Sequence, residues 1–418
     1  MKRYDLVIIG GGSAGLSAAI ASKKKGIDSI LIIERDKELG GILQQCIHNG
    51  FGLHTFNQEL SGPAYAEKYI DMVNEEKIDY VLNSMVLKVN EDKVITYSSE
   101  EEGYVQVKAE AIILAMGCYE RTSGAIQLLG YRPKGIYNAG TAQKYLNING
   151  YLVGKKVFIL GSGDIGLIMA RRMTLEGAKV LGVAELMPYS NGLTRNIKQC
   201  LEDFDIPLYL SHTISDIQGK DTLNQITISK VDEQFNVIDG SEKTFEVDTL
   251  LLSVGLIPEN KLCESIDIKL DERTKGAIVD NDYQTSMDGV FACGNVLHVH
   301  DLVDFVSKEG EKAAQGVYQY LNKKSDKEKL IVTIPKNGIG YIVPQMICSN
   351  TTEDKVELMF RVKKIYRDVK IVLKADGMIL REVKKRVMLP AEMEKIIVSK
   401  EEIEKAMHEL SIEVCDEN

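Results

Sequence analysis

Two stretches of this chain repeat one pattern: Gly10-Gly11-Gly12-Ser13-Ala14-Gly15 and Gly161-Ser162-Gly163-Asp164-Ile165-Gly166, each directly after an apolar run, Leu6–Ile9 and Val157–Leu160. A turn of this kind joins a strand to a helix. Its first glycine makes the turn, its second lets backbone approach a pyrophosphate, and its third lets the helix pack on the strand. Each copy also has an acid closing the next apolar run, Glu34 after Leu31-Ile32-Ile33 and Glu185 after Val180–Ala184, both 19 residues past the last glycine. A carboxylate there accepts the hydroxyls of an adenosine ribose. One such turn is weak evidence, because glycine turns recur wherever strands meet helices. Two complete copies at equal spacing point to an α/β chain with two Rossmann-like dinucleotide-binding domains.

At 418 residues the length prior allows about three domains, and 44% hydrophobic with 27% charged residues is ordinary for a globular protein. The 51 basic and 61 acidic residues leave a net charge of −10, which argues against nucleic acid as a partner and against a polybasic membrane anchor. No apolar run approaches the ~20 residues of a membrane span. Met1-Lys2-Arg3 before an apolar run mimics a signal peptide, but that run is needed as the first strand, so a cytoplasmic protein without a targeting segment is expected.

Seven cysteines are scattered, odd in number and never in a CxxC pair, which speaks for a reducing compartment and against disulfides, iron–sulfur clusters or zinc. His298 and His300 would share a face if they lay on a strand. Two ligands without a third are thin evidence, and no metal is expected.

Along the chain, a helix is expected over Pro63–Lys77, then an antiparallel meander (Tyr80–Val89, Lys93–Tyr97, Tyr104–Lys108) and a buried strand at Ala111–Met116 ending in Gly117. The Gly-, Pro- and Asn-containing stretch Gly130–Gly140 reads as a linker. A second nucleotide-binding unit follows, closed by the strand Thr249–Val254. Gly289–Cys293 reads as a return strand, followed by a helix over Leu302–Leu321, so the second domain is inserted into the first. The expected boundaries are 1–125 and 261–325 for the two parts of the first domain and 126–260 for the insert. Residues 326–418 form a small β-rich C-terminal domain with a final acidic helix, Lys400–Glu409.

These marks resemble the FAD- and NAD(P)-dependent pyridine nucleotide oxidoreductases, with the compact domain order of thioredoxin reductase, over roughly residues 2–323. They include Ile113-Leu114-Ala115-Met116-Gly117, Leu251-Leu252-Ser253-Val254-Gly255 and Thr285-Ser286-Met287-Asp288-Gly289-Val290-Phe291-Ala292-Cys293-Gly294-Asn295. That last block resembles the family's second FAD motif, with Asn295 where an acid normally stands. The segments Gly40–Leu53 and Asn295–Asp304 are similar to a bacterial subfamily associated with glycerol-3-phosphate dehydrogenase-type proteins, whose relatives serve as subunits of amine, opine and proline oxidases.

By chain order the resemblance implies FAD on Gly10, Gly12, Ser13, Ala14 and Gly15 with Glu34 and Arg35. Gly41, Val86, Ala115, Met116, Gly117, Gly294, Asn295, Val303 and Asp304 complete that seat. It implies a nicotinamide nucleotide on Gly161, Gly163, Asp164, Ile165, Gly166, Glu185 and Gly255. Glu185 repels a 2′-phosphate, and Leu186-Met187-Pro188-Tyr189 offers no Arg or Lys to hold one, so NAD(H) is preferred over NADP(H). The helix start at Leu302–Asp304 is expected to stabilise negative charge on the flavin, while Asp304 could equally cap that helix.

The dithiol pairs of thioredoxin-reductase and glutathione-reductase types are both absent. Cys46 is then either a solitary redox thiol, provided a neighbour such as His48 lowers its pKa, or a buried small apolar residue. His48, His298 and His300 are candidate proton donors beside the flavin, or equally hydrogen-bond partners of a phosphate or the backbone. The leading expectation is a hydride-transferring flavoprotein acting as the electron-transfer component of a larger dehydrogenase or oxidase. Its partner would be a small-molecule or protein electron acceptor or donor or a dehydrogenase subunit, in a homodimer or hetero-oligomer. The alternatives are a self-sufficient NADH oxidase, a Cys46-dependent persulfide or disulfide reductase, and a non-enzymatic nucleotide sensor.

Overall fold

A computed structural model describes residues 1–322, 330–351 and 353–416. Contacts divide the chain into two units, one of Met1–Cys118 with Pro258–Asn418 and one of Tyr119–Ile257.

The first unit is built on a seven-stranded sheet. Its parallel heart is Ile30–Ile33, Lys2–Ile9, Gly103–Leu114 and Val290–Ala292, with Ile8 level with Ile32 on one side and Ile113 on the other, and Ile113 level with Phe291. All four residues of Ile30–Ile33 are buried, as expected of a parallel strand covered on both faces. The return strand Val290–Ala292 therefore completes a sheet begun at residue 2. Val94–Ser99 and Ser84–Val89 extend the sheet as the antiparallel meander, and Gly62–Glu75 is helical, opened by Pro63 in its first turn and by the Ser61 side-chain cap.

The fingerprint helix Ser13–Lys24 buries Ala14, Gly15, Ala18 and Ala19. These small residues let the long helix Val303–Leu321 come close. A Cβ on Gly310 would lie 2.3 Å from Ala14 O, and Ser17 Oγ donates to Ser307 O at 2.9 Å.

The second unit has a five-stranded parallel sheet in the order Ile136–Asn138, Thr249–Leu252, Lys156–Leu160, Lys179–Glu185, Leu208–Leu210, and a three-stranded antiparallel sheet of His212–Gln218, Gln225–Lys230 and Lys243–Glu246. The stretch read as a linker, Gly130–Gly140, thus contains an edge strand and the start of the helix Ala139–Asn147.

The C-terminal region folds as two sheets around its own core of Ile331, Ile339, Phe360, Leu373 and Ile412. It belongs to the first unit and is tied there by backbone and side chain. Val279 and Gln345 bond twice, at 3.1 Å each, and Cys348 N–H donates to Asn281 Oδ1 at 2.8 Å. The expected final helix is a correction: it runs only over Lys400–Glu404. Glu409–Asp416 is instead a strand, set between Leu330–Pro335 and Tyr366–Ala375. The Ser399–Glu402 capping box starts the helix, and the alternating apolar residues Leu410, Ile412 and Val414 then favour burial in the sheet.

Candidate functional site: two matched nucleotide cradles

The two glycine turns are built alike. Gly10 and Gly161 have φ of 106° and 96°, and a Cβ on them would lie 2.4 Å from Ala115 O and 2.0 Å from Ser253 O. Only glycine allows that approach of the turn to the neighbouring strand end. In the first cradle Glu34 Oε2 accepts Gly11 N–H at 2.6 Å and Oε1 accepts Asp36 N–H at 2.8 Å. In the second, Glu185 Oε2 accepts Ser162 N–H at 2.9 Å and Oε1 accepts Met187 N–H at 2.9 Å. Both acids are buried. Each is fixed by the backbone of its own fingerprint, with further oxygen lone pairs remaining for ribose hydroxyls.

Both fingerprint helices start without a cap from the Ncap side chain, at Gly12 and Gly163, so first-turn N–H groups remain available to an anion, except that Gly166 N–H donates to Ser253 Oγ at 3.1 Å. A Cβ on Gly12 would meet no heavy atom within 4 Å, and Gly41 lies behind it, its own Cβ direction 3.2 Å from Gly12 Cα. A Cβ on Gly294 would meet Ala14 at 2.7 Å. The structure thus brings Gly10, Gly12, Ala14, Glu34, Gly41, Ala115 and Gly294 together at one end of the parallel sheet. A dinucleotide with its pyrophosphate on the helix start and a ribose on Glu34 fits this cradle. Ser13 and Gly15 lie in the same first helical turn, and Met116 and Gly117 follow Ala115. Arg35 is exposed, and Val86 is buried in the meander. In the second cradle Asp164 accepts Leu193 N–H at 2.8 Å and Asn196 Nδ2–H at 2.6 Å, shaping the loop beside the turn. Ile165 and Gly166 lie in that helix, and Gly255 (φ 105°) follows the closing strand.

Asp304 does not cap its helix. The helix Val303–Leu321 begins without a side-chain cap, and the buried Asp304 carboxylate accepts Gly52 N–H at 3.2 Å and Thr55 N–H at 2.8 Å. It secures the turn that follows the strand Asn49–Phe51. Asn295 Oδ1 accepts His300 N–H at 3.1 Å, so the amide that replaces the usual acid shapes the following turn.

The condition set for a reactive Cys46 is not met. Its Sγ–H donates to Ile42 O at 3.3 Å, and burial pushes the thiol up to about 12. His48 rests against Phe51 with ring centroids 5.0 Å apart.

His298 and His300 do not lie on a strand, contrary to the face-sharing premise; they occupy the loop between Gly294–Val296 and the long helix. Sequence reasoning missed their partner. Glu309, buried on that helix, places Oε1 2.9 Å from His298 Nε2 and Oε2 3.1 Å from His300 Nε2, and Oε2 also accepts Gly294 N–H at 2.5 Å. Burial pushes the Glu309 carboxyl up, and His300 and His298 more than offset this, holding it well below the usual carboxylate range. Burial first, then the neighbouring His300, pushes His298 down. On the outer side of this loop, Arg361 from the C-terminal sheets donates to Val299 O at 3.0 Å and pairs with the Asp301 carboxylate, which also accepts Met393 N–H at 2.6 Å.

Two dinucleotide cradles on two doubly wound units define a nucleotide-dependent oxidoreductase that works with FAD and a pyridine nucleotide. The chain belongs to the pyridine nucleotide-disulphide oxidoreductases, whose family model matches residues 4–318. It is 25% identical over 328 residues to hydrogen cyanide synthase subunit HcnB of Pseudomonas protegens, covering 74% of this chain and 67% of that protein. Against thioredoxin reductase of Listeria monocytogenes it is 25% identical over 328 residues, covering 77% and 95%. Against the glutamate synthase (NADPH) small chain of Escherichia coli the identity is 23% over 349 residues, covering 76% and 68%. Among solved structures, thioredoxin reductase of T. acidophilum superposes with a TM-score of 0.63 at 23% identity, over 78% of this chain and all of that one. Among the described residues, no helix is long and apolar enough to cross a membrane.

Proposed function

We propose that this chain is an NADH-linked FAD oxidoreductase working as the electron-transfer component of a larger dehydrogenase or oxidase. The observation that carries the reading is the coexistence of two matched nucleotide cradles with a chain that holds no CxxC or CxxxxC pair. A dithiol relay of either familiar type would need such a pair, and burial pushes the Cys46 thiol, which follows Gly40-Gly41, up to about 12. Relatives named as a subunit and a small chain of larger enzymes support the component role.

When bound, FAD and NAD(H) supply hydride transfer between nicotinamide and flavin. The chain binds, orients and selects. Glu34 and Glu185 fix the riboses, and the uncapped helix starts at Gly12 and Gly163 take the pyrophosphates. Glu185, a buried charge, disfavours a 2′-phosphate and so selects NADH. The uncapped start of Val303–Leu321 offers N–H groups to developing negative charge, with Asp304 holding the adjoining loop. His48 is the candidate proton donor; His300, engaged by Glu309, is assigned no proton transfer.

Anaerobic titration with NADH and NADPH, followed by a screen of acceptors and of co-purifying proteins, tests this. NADH should bleach the flavin band at far lower concentration than NADPH, with slow turnover until a partner is added. Full-rate turnover of a specific substrate by the isolated chain would exclude the component role, and an unbleached flavin would exclude the redox role.

A further inference from the structure

The redox reading leaves the buried cluster of His298, His300 and Glu309 without a use. The histidines come from the loop after Gly294–Val296 and the glutamate from the second turn of Val303–Leu321. Each carboxylate oxygen faces one ring, at 2.9 and 3.1 Å. The two ring centroids are 4.3 Å apart, and one donor atom from each of the three residues lies within 4.8 Å of the other two. Ligands around an ion with zinc-type bonds of ~2.0–2.2 Å stand roughly 3.0–3.5 Å apart along the polyhedron edges. Both nitrogen–oxygen edges are therefore already near the spacing of shared ligands.

Two further observations point to an ion. Nδ1 of both rings is buried without a hydrogen-bond partner. In histidine ligands the bond made by the second nitrogen normally fixes the tautomer. Here nothing at Nδ1 does so: without an ion each Nε2–H donates to Glu309, and an ion bound at Nε2 moves each ring's proton to the open Nδ1. The second observation is charge. Glu309 is buried, and among the described residues no Lys or Arg forms an ion pair with it; its partners are the two rings and Gly294 N–H. Buried carboxylates are ordinarily paired with a cation or coordinate a metal.

We propose that His298, His300 and Glu309 bind one divalent cation of the zinc class through two imidazole nitrogens and a carboxylate. The ion clips the segment after the second FAD motif onto the long helix, while Arg361 and Met393 hold the same segment from the C-terminal sheets. No electron transfer is involved; the ion displaces each Nε2 proton from its bond to Glu309, and that proton is taken up at Nδ1 of the same ring. The site stands apart from the assignment of nucleotides to the cradles.

The test uses the full FAD-loaded chain, treated with chelator, equilibrated with zinc sulfate, desalted and counted for metal by mass spectrometry. The native chain should retain about one zinc ion. His300→Gln and Glu309→Gln should bind at least about tenfold more weakly, whereas Cys46→Ser and Cys118→Ser should retain the ion. A Cu²⁺-loaded native chain should show the electron-paramagnetic hyperfine pattern of two nitrogens, a readout that needs no variant to fold. Less than about a tenth of an equivalent of zinc in the native chain would overturn the proposal. So would zinc retained by folded His300→Gln, zinc lost with either cysteine, or a copper spectrum without two nitrogens.

Discussion

Glu185→Gln, set beside Glu34→Gln, tests which cradle holds which nucleotide. Glu185 accepts Ser162 N–H at 2.9 Å and Ser162 Oγ–H at 2.6 Å on one oxygen, and Met187 N–H at 2.9 Å on the other. A glutamine keeps one acceptor oxygen and turns an NH₂ group toward the opposite donors, so at least one charged hydrogen bond becomes a donor–donor contact. A hydrogen bond to a charged group contributes about 1.5–3 kcal/mol. The ribose hydroxyls lose a charged acceptor in the same way, and that loss, made only in the nucleotide-bound state, weakens NADH roughly 10- to 150-fold. Removing the charge also lifts the repulsion of a 2′-phosphate, so the preference for NADH over NADPH narrows. Glu34→Gln removes the matching bonds to Gly11 at 2.6 Å and Asp36 at 2.8 Å, and the same penalty falls on FAD. The assay is the flavin-to-protein ratio after purification, followed by anaerobic NADH titration of whatever flavoprotein remains. Glu185→Gln should keep its flavin and lose NADH affinity, and Glu34→Gln should lose flavin. Loss of flavin from Glu185→Gln with retention in Glu34→Gln would reverse the assignment, and no change in either variant would remove the acids from nucleotide binding.

Gly10→Ala should purify without FAD or not at all, since φ of 106° costs a side chain roughly 1–3 kcal/mol before its Cβ meets Ala115 O at 2.4 Å; a soluble variant with full flavin would refute that packing. Cys46 should be alkylated by iodoacetamide in the native state at least about a hundredfold more slowly than a free thiol at neutral pH, because burial pushes its thiol up to about 12. Cys46→Ser should accordingly leave NADH-dependent flavin reduction within about twofold. Glu357 faces Lys308, Lys312 and Lys395 at 3.4–3.5 Å. Burial pushes its carboxyl up, but the lysines, Lys312 foremost, more than offset this and hold it below the usual range. A carboxyl lowered on folding stabilises the fold above its unfolded pKa of about 4.3, and the benefit is lost as pH falls through the folded value. Glu357→Gln should therefore cost about 1–3 kcal/mol near neutrality and flatten the decline of urea stability between about pH 5 and pH 3; an equal slope in both proteins would show the lysines do not act on it.

The cradles were legible in sequence because their physics is local. A turn that only glycine can make, an acid at fixed distance and an all-apolar strand leave their marks within one βαβ unit. What escaped depended on distant partners. The segment after Lys400 opens as a helix, with Ser399 and Glu402 reciprocally bonded, and nothing local says that it stops at Glu404. Glu409–Asp416 becomes a strand because Leu330–Pro335 and Tyr366–Ala375 flank it on both sides, a pairing across up to about 80 residues that no window contains. Gly340–Cys348 has the apolar content of a single strand, but Pro344 lacks an N–H for a ladder. The chain instead forms two short strands, Ile339–Val343 and Met346–Cys348, in different sheets.

The Glu309 cluster shows a different kind of blindness, one that a sharper reading of periodicity would have cured. His298 and His300 drew attention as a pair and were set aside for want of a third ligand. That ligand was in view on the long helix. Val306, Gly310, Ala313 and Val317 mark its buried stripe at helical spacing, and Glu309 lies on the same stripe, three residues after Val306 and four before Ala313. Lys308 and Glu311, by contrast, lie off it. A carboxylate facing the core must find a compensating partner, and two histidines approach from the segment that enters that same helix. Asp304 follows the same logic: it is an acid in the first turn that faces inward, and it is spent on the N–H groups of Gly52 and Thr55 rather than on its own helix end. An acid inside an apolar stripe is therefore the signal to weigh first in this chain. It marked both places where the long helix gathers loops from elsewhere in the fold, and it is independent of the glycine motifs that dominate the sequence.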